Sequence, residues 1–395
     1  MKNVIGTPAR GESFFPRAEE VKRVVGKLKD GNNLNIAAPR RIGKTSILLY
    51  LLDNNEGDFL YVYVDTEDID NESEFFKRIL KEILKTEEVR NSRKLKNFLE
   101  SGHKFLSRVK GIKIMGQGID FSEADGAIDY KEDLINLLCG IELENERDIV
   151  VLIDEFPQTV QNILDANSGD DKPARKFLQA NREMRLNPAI NKKVRFILTG
   201  SIGLNYTVSQ IGASAFINDI NSVEVNPLNK EDARKFLLDL LSPGKYSIKE
   251  ETIVYLLGKI EWLIPFHIQL IVQELLTQAP PAGEIDITLV DRAFNAIIHA
   301  RNDNHFNHYQ SRLKKQFKGT DFLFVSELLD VLAKSGTMTK AEIYDLSAKH
   351  DLEDKWRLIV EVLIYDGYLN CSVDGAVYQF NSPILRMWWQ RFICK

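Results

Sequence analysis

Cysteine is scarce. The chain has three in 395 residues, Cys139, Cys371 and Cys394, widely spaced and with no Cys-x-x-Cys pair. That excludes a disulfide framework and a zinc knuckle, and leaves reduced thiols as the reading. Long apolar runs are missing too. No stretch approaches the roughly 18–20 residues needed to span a bilayer. Lys2, Arg10 and Glu12 stand where a signal peptide would carry its apolar segment, so the expectation is a cytoplasmic protein without membrane contact. Positive charge is not in surplus either. With 52 Lys and Arg against 57 Asp and Glu, the net charge is −5, and no overall basic field would draw in nucleic acid. A local basic patch stays open. No internal repeat or low-complexity tract is present.

What is present is a globular composition, 44% hydrophobic and 28% charged, in a chain long enough to expect two or three domains. The stretch "NLNIAAPRRIGKTSILLYLL", residues 33–52, carries the most information. A Gly-Lys-Thr triplet alone is weak, and three further Gly-Lys pairs, at 26–27, 244–245 and 258–259, are followed by neither Ser nor Thr. Context decides. "LNIAA" reads as a short apolar strand and "KTSILLYLL" as a buried helix start. A strand, a tight loop and a helix N-terminus present successive backbone N–H groups and a partial positive charge to phosphate. Lys44 would supply a point charge to the β- and γ-phosphates, and the Thr45 hydroxyl could ligate Mg²⁺. Pro39, Arg40, Arg41, Ile42, Gly43, Lys44, Thr45 and Ser46 are therefore the candidate nucleotide-binding residues. Gly43 must let the backbone approach the phosphate, whereas Ala38, in the position of the first glycine of the usual pattern, adds only a methyl. Either arginine could touch phosphate, and at least one is expected to be solvated.

A second constellation supports the first. "RDIVVLIDEFPQ", residues 147–158, has five consecutive apolar residues ending in Asp154-Glu155, the pattern of a parallel strand buried on both faces. Ligands of open α/β sheets bind beyond the carboxyl ends of such strands. Asp154 is placed to hold Mg²⁺ through water, and Glu155 to orient or deprotonate an attacking water. A third strand, within "KVRFILTGSIGL" at 193–204, ends in Thr199, Gly200 and Ser201. A hydroxyl there, Ser201 in particular, could stand between the acidic pair and the γ-phosphate, or could cap the next helix. Lys44, Asp154, Glu155 and Ser201 are the candidate catalytic residues, with Thr45 and Asp154 as metal ligands.

Residues 59–66 read as a further strand and the region near 72–86 as a helix. Alternation around Gly116-Gln117-Gly118 suggests a hairpin at 108–122. Helices are expected at 131–146 and 171–187, the latter carrying Arg175, Arg182 and Arg185. A last strand and a helix opened by Asn229 follow at 220–241. Strands alternating with helices imply a doubly wound parallel sheet. From 229 to 310 the pattern is helical only. Residues 320–395 read as three helices and a strand pair turning at Asp374-Gly375, the order of a winged helix-turn-helix. The expected organisation is an α/β P-loop ATPase core at 1–228, a helical domain at 229–317 and a winged helix at 318–395. That last segment holds nine Lys and Arg against eleven Asp and Glu. Asp351, Glu353, Asp354 and Glu361 on or near its third helix outnumber Lys355 and Arg357, which favours a structural or regulatory role over duplex reading.

At this point the residues resemble a known family. "FFPRAEEVKRV" at 14–24, "APRRIGKTS", "VVLIDEF" with "FILTGSIGL", "EWLIPFHIQLIVQEL" at 261–275 and the ending "YQFNSPILRMWWQRFI" are similar to stretches of the STAND-type P-loop ATPases, in particular the archaeal-type ATPase group. The resemblance implies a molecular switch that binds and slowly hydrolyses ATP, with ATP or ADP and Mg²⁺ as ligands. It also implies a closed ADP state and an output through protein partners or self-assembly. By the same resemblance Arg17 and Glu19 would lie near the nucleotide or the interface between core and helical domain, and Pro265 would line the adenine pocket. Pro16 and Ala38 replace glycines of the family pattern, and no Met-His-Asp sequence occurs in the last segment. His267, His305 and His308 could substitute for that histidine, with ordinary packing as the expected role. Arg182, Arg185 and Arg195 are candidates for an arginine that reaches the γ-phosphate. The same domain order occurs in archaeal origin-recognition initiators, so a nucleic-acid-binding ATPase is the second expectation, and a non-catalytic nucleotide-binding scaffold the third.

Overall fold

Five short strands build the centre of the N-terminal half in a computed structural model that describes residues 1–54, 57–92, 129–143, 146–200, 203–298 and 305–394. The hairpin expected at 108–122 and Ser201 lie outside the described residues. The chain divides into two bodies. The first comprises Met1–Pro16, Ala38–Ser46 and Val225–Lys395, and the second Arg17–Ala37 and Ile47–Glu224.

In the second body β1 (Asn33–Ala37), β2 (Phe59–Asp65), β3 (Asp148–Asp154), β4 (Val194–Thr199) and β5 (Ile220–Glu224) form one parallel sheet in the order β2-β3-β4-β1-β5. All six residues of β4 and the last six of β3 are buried, as runs without alternation require of central parallel strands. β4 therefore lies between the loop-bearing strand β1 and the acidic strand β3. Asp65 of β2 stands opposite Asp154 of β3. On one face Leu60, Val62 and Val64 join Ile149, Val151 and Ile153 in the core. The helix Glu72–Lys85 buries Phe75, Phe76, Ile79, Leu80, Ile83 and Leu84 there, and Asn71 caps it by accepting from the Glu74 N–H at 2.9 Å. Phe75, Phe156 and Phe177 meet at centroid distances of 4.8–5.8 Å. The helix expected at 131–146 stops at Gly140, and the one expected at 171–187 spans Lys172–Leu186.

In the first body helices Lys230–Leu241, Glu250–Ile260, Pro265–Gln278, Ile287–Ile297 and Asn307–Gln316 follow one another. Asn229 does cap the first of them, accepting from Asp232 N–H at 2.8 Å. The region is not helical alone, since β6 (Ser247–Ile248) and β7 (Glu284–Ile285) pair in parallel. Two-residue strands leave no periodicity to read. Then come the helix Gly319–Ser335, β8 (Thr337–Thr339), helices Lys340–Ala348 and Trp356–Tyr365, β9 (Leu369–Cys371), β10 (Val377–Phe380) and the helix Pro383–Phe392. The strands make an antiparallel sheet in the order β8-β10-β9, so β8 is a third strand beyond the pair that the sequence suggests. The N-terminal arm is pinned to the helix Pro265–Gln278. Asn3 Nδ2 donates to the Gln269 carbonyl and Gln269 Nε2 to the Val4 carbonyl, each at 2.9 Å. Among the described residues no helix is long and apolar enough to cross a membrane.

Candidate functional site

The loop 38–43 follows β1 and leads into a helix beginning at Lys44. Two of its residues adopt left-handed backbone, Arg41 at φ 64° and Gly43 at φ 107°. The second explains the glycine without appeal to contacts, because a Cβ there would meet nothing within 4 Å yet would be strained. Lys44 is buried, and its Nζ donates to the carbonyls of Ala38 at 2.6 Å and Pro39 at 2.9 Å. The Ser46 hydroxyl accepts from the Ala9 N–H at 3.0 Å, which brings the N-terminal arm to the loop.

The first half of the loop is gripped by residues of the same body from far along the chain. The Arg41 guanidinium stacks on Phe266, 3.8 Å from the ring centroid, and one nitrogen lies 3.3 Å from His308 Nδ1. Arginine can only donate, so Nδ1 accepts and the imidazole proton sits on Nε2, which is buried with no partner. Burial lowers the Arg41 pKa to about 10, still charged at neutral pH. Burial and then the charges of Arg41, Arg40, Arg312 and His305 push His308 down to about 2. The Ala38 backbone N–H lies near the Tyr365 hydroxyl. Gly367, at φ 82°, lies so close that a Cβ would stand 2.9 Å from Pro39 and 2.6 Å from Trp262. Between them Asp366 is buried, with Arg312 Nη2 at 3.8 Å. Burial raises its pKa, while the charge of Arg312, the nearby Gln316 amide, and the charges of Lys44 and Arg40 pull it back. Arg40 and Arg41 are both half-buried, so neither is the solvated arginine expected from sequence. His308 meets the loop through Arg41. Pro265 sits half-buried in the first turn of its helix, where a missing N–H costs nothing.

In the second body Asp154 ends β3, and its carboxylate is held from both neighbouring strands. Oδ1 accepts from the Thr199 hydroxyl of β4 and from the Glu155 N–H at 3.1 Å, and Oδ2 accepts from the Tyr63 hydroxyl of β2 at 3.1 Å. Its carbonyl accepts from Thr66 Oγ1 at 2.8 Å, and Thr66 is bonded in turn by Thr159. Glu155 takes φ 59° and starts the helix Phe156–Ala166. Gly200 is needed by contact, since a Cβ would come within 2.4 Å of Pro157. Thr199 is thus a described hydroxyl that meets the acid, while Ser201, proposed from sequence, lies outside the described residues. Arg17 belongs to this body, buried and paired with Glu20 at 2.6 Å, while Glu19 is exposed. The three arginine candidates are engaged. Arg185 grips Asp219 with two bonds of 2.8 and 2.9 Å, Arg182 donates to Asn218 at 3.1 Å, and Arg195 donates to the backbone carbonyls of Asn191 and Val194.

Sequence reading finds neither Tyr63 nor the Tyr365–Gly367 corner. Tyr63 looks like any aromatic in a strand, and Asp366-Gly367 reads only as a turn.

The residues fit a nucleotide and Mg²⁺. Lys44, a left-handed glycine and a helix N-terminus suit phosphate, and Arg41 Nη1 is buried without a partner. Oxygen donors suit Mg²⁺, which takes one or two carboxylates and completes its shell with phosphate and water.

No protein-family model matches the chain, and no curated protein matches it. Among solved structures it is similar to the Walker-type ATPase PABY2304 of Pyrococcus abyssi, at 17% identity and TM-score 0.62, over 98% of this chain and 99% of that one. It is also similar to the ORC2 protein of Aeropyrum pernix in its ADPNP–ADP complexes, at 12% identity and TM-score 0.54, over 98% of this chain and 94% of that one. The fold is that of the P-loop ATPases.

Proposed function

We propose that this protein is an ATP-binding, slowly hydrolysing switch of the STAND type, with a core, a helical domain and a C-terminal winged helix at 1–228, 229–317 and 318–395. Backbone N–H groups of Arg41–Thr45 and the Lys44 ammonium take the phosphates, Arg40 and Arg41 add charge, and Pro265 flanks the base. Thr45 and Asp154 hold Mg²⁺, whose chemistry is to neutralise phosphate charge. Glu155 orients and deprotonates the attacking water, and Thr199 keeps Asp154 in place. The observation that carries the reading is the grip on the loop. Ala38, Pro39 and Arg41 lie against Phe266, His308, Tyr365 and Gly367, so a loop that rearranges around phosphate must strain or release those contacts. Slow turnover is supported by Arg182, Arg185 and Arg195, each already bonded elsewhere. An arginine at the γ-phosphate supplies about 10³–10⁵ in rate where one is present.

Binding of a fluorescent ATP analogue, with phosphate release measured in parallel, tests the assignment. Lys44→Ala should abolish binding without unfolding the protein, and Glu155→Gln should keep binding while stopping release. Normal binding by the Lys44 variant would remove the loop from the site.

A second reading is a nucleic-acid-binding ATPase, favoured by the likeness to ORC2 over nearly the full chain. The acidic balance of 318–395 argues against it. Duplex binding that weakens steeply with salt would establish it.

A further inference from the structure

Tyr63 is half-buried on the face of β2 that also carries Phe59, Tyr61 and Asp65, while Leu60, Val62 and Val64 of the other face enter the core. β3 alternates in step, with Ile149, Val151 and Ile153 in that core and Asp154 on the opposite face. Tyr63 and Asp154 therefore share a face. Packing alone would be satisfied by a phenylalanine ring, so the hydroxyl is the atom that needs a reason. It is spent on Asp154 Oδ2 at 3.1 Å. An ionised carboxylate only accepts, so the tyrosine must donate.

The Thr199 hydroxyl and the Glu155 N–H bind the other oxygen. A carboxylate held at one oxygen can still turn about its Cβ–Cγ bond. Donors on both oxygens, arriving from β2 on one side and β4 on the other, remove that freedom. We propose that Tyr63 is a positioning residue that fixes the orientation in which Asp154 meets Mg²⁺. The inference rests on the assignment of Asp154 to the metal under Proposed function and names a residue which that assignment lacks. Hydrogen-bond partners of metal-holding carboxylates commonly contribute about 10–100-fold to metal affinity.

The test is Mg²⁺-dependent binding of a fluorescent ATP analogue to the full chain. Wild type is titrated with nucleotide in EDTA, then with Mg²⁺ at fixed nucleotide. For Tyr63→Phe the half-saturating Mg²⁺ concentration should rise about tenfold, with nucleotide affinity in EDTA unchanged. Asp154→Asn should lose the Mg²⁺ effect, and adding Tyr63→Phe to it should change nothing more, because the two act as one unit. Mg²⁺ dependence equal to wild type in Tyr63→Phe, or equal weakening with and without Mg²⁺, overturns the positioning role and leaves the nucleotide assignment standing. A wild type that binds nucleotide without any Mg²⁺ effect overturns both. If Tyr63→Phe folds poorly, Tyr63→His at high pH serves instead. Its neutral imidazole keeps a ring N–H donor and should retain Mg²⁺ dependence better than Tyr63→Leu, and equality of those two also overturns the proposal.

Discussion

The phosphate loop and the acidic strand end differ in how they are held. Asp154 is organised by its own sheet, since Tyr63 and Thr199 arrive on the two strands hydrogen-bonded to β3. Parallel register alone brings the three together. The loop is organised by residues remote from it in sequence, namely Phe266, His308 and the corner Tyr365–Gly367. One group is built to keep its shape. The other is held by contacts from segments distant from it along the chain.

Tryptophan fluorescence separates the two experimentally, because Trp262, Trp356, Trp388 and Trp389 all belong to the first body, whereas far-ultraviolet circular dichroism reports both. The largest effect expected is from Arg185→Ala in the second body. It removes the two short bonds to Asp219 from an arginine only 2% exposed and leaves that acid, among the described residues, only Arg182 at 4.0 Å, at a cost of about 3 kcal/mol. The dichroism transition in denaturant should shift markedly and the fluorescence transition much less. Shifts of equal size would break the comparison by showing that the bodies unfold together.

Next comes a pair of glycines with matching backbone, Gly367 at φ 82° and Gly31 at φ 84°. Replacing either by alanine incurs strain of about 1–3 kcal/mol. Only at Gly367 does the methyl also collide, with Trp262 and Pro39, whereas at Gly31 it touches the Arg195 side chain at an ordinary 3.4 Å. Gly367→Ala should therefore lower the fluorescence midpoint more than Gly31→Ala lowers the dichroism midpoint, and should also alter nucleotide affinity. Equal penalties would mean that the corner does not grip the loop.

Acid gives the smallest effect and the most selective. His267 and His308 have pKa values lowered to about 3 and about 2, each mainly by burial, and every described histidine lies in the first body. A histidine with a depressed folded pKa takes up its proton only on unfolding. Stability is therefore intact above the unfolded value of about 6.5 and falls below it, by about 1.4 kcal/mol per pH unit for each group. Between pH 6.5 and 5.5 the fluorescence midpoint should drop, and His308→Gln should remove part of that slope. A pH-independent midpoint would show that the histidines titrate freely.

The strand end was legible because its code is consecutive. Five apolar residues and two acids mark a buried strand and its tip, and the loop shows the same economy in Gly43-Lys44-Thr45. Thr199 was not singled out, because a strand fully buried on both faces carries no alternation to tell which hydroxyl faces the neighbouring acid. The solvated arginine failed for a different reason. Arg41 is charged and lies in a loop, and nothing near it in sequence reveals that Phe266 and His308 close over it.

Local chemistry, then, is what this chain's sequence determined by itself: a parallel sheet, a phosphate loop and an acid at a strand tip, each specified by residues that are neighbours along the backbone. The partners of those groups were decided by tertiary structure. Whether Tyr63 reaches Asp154 depends on strand register, and whether Gly367 meets Pro39 depends on how helices far along the chain pack. Such contacts are set by side-chain volumes summed over a whole core, a quantity that no short stretch of sequence contains.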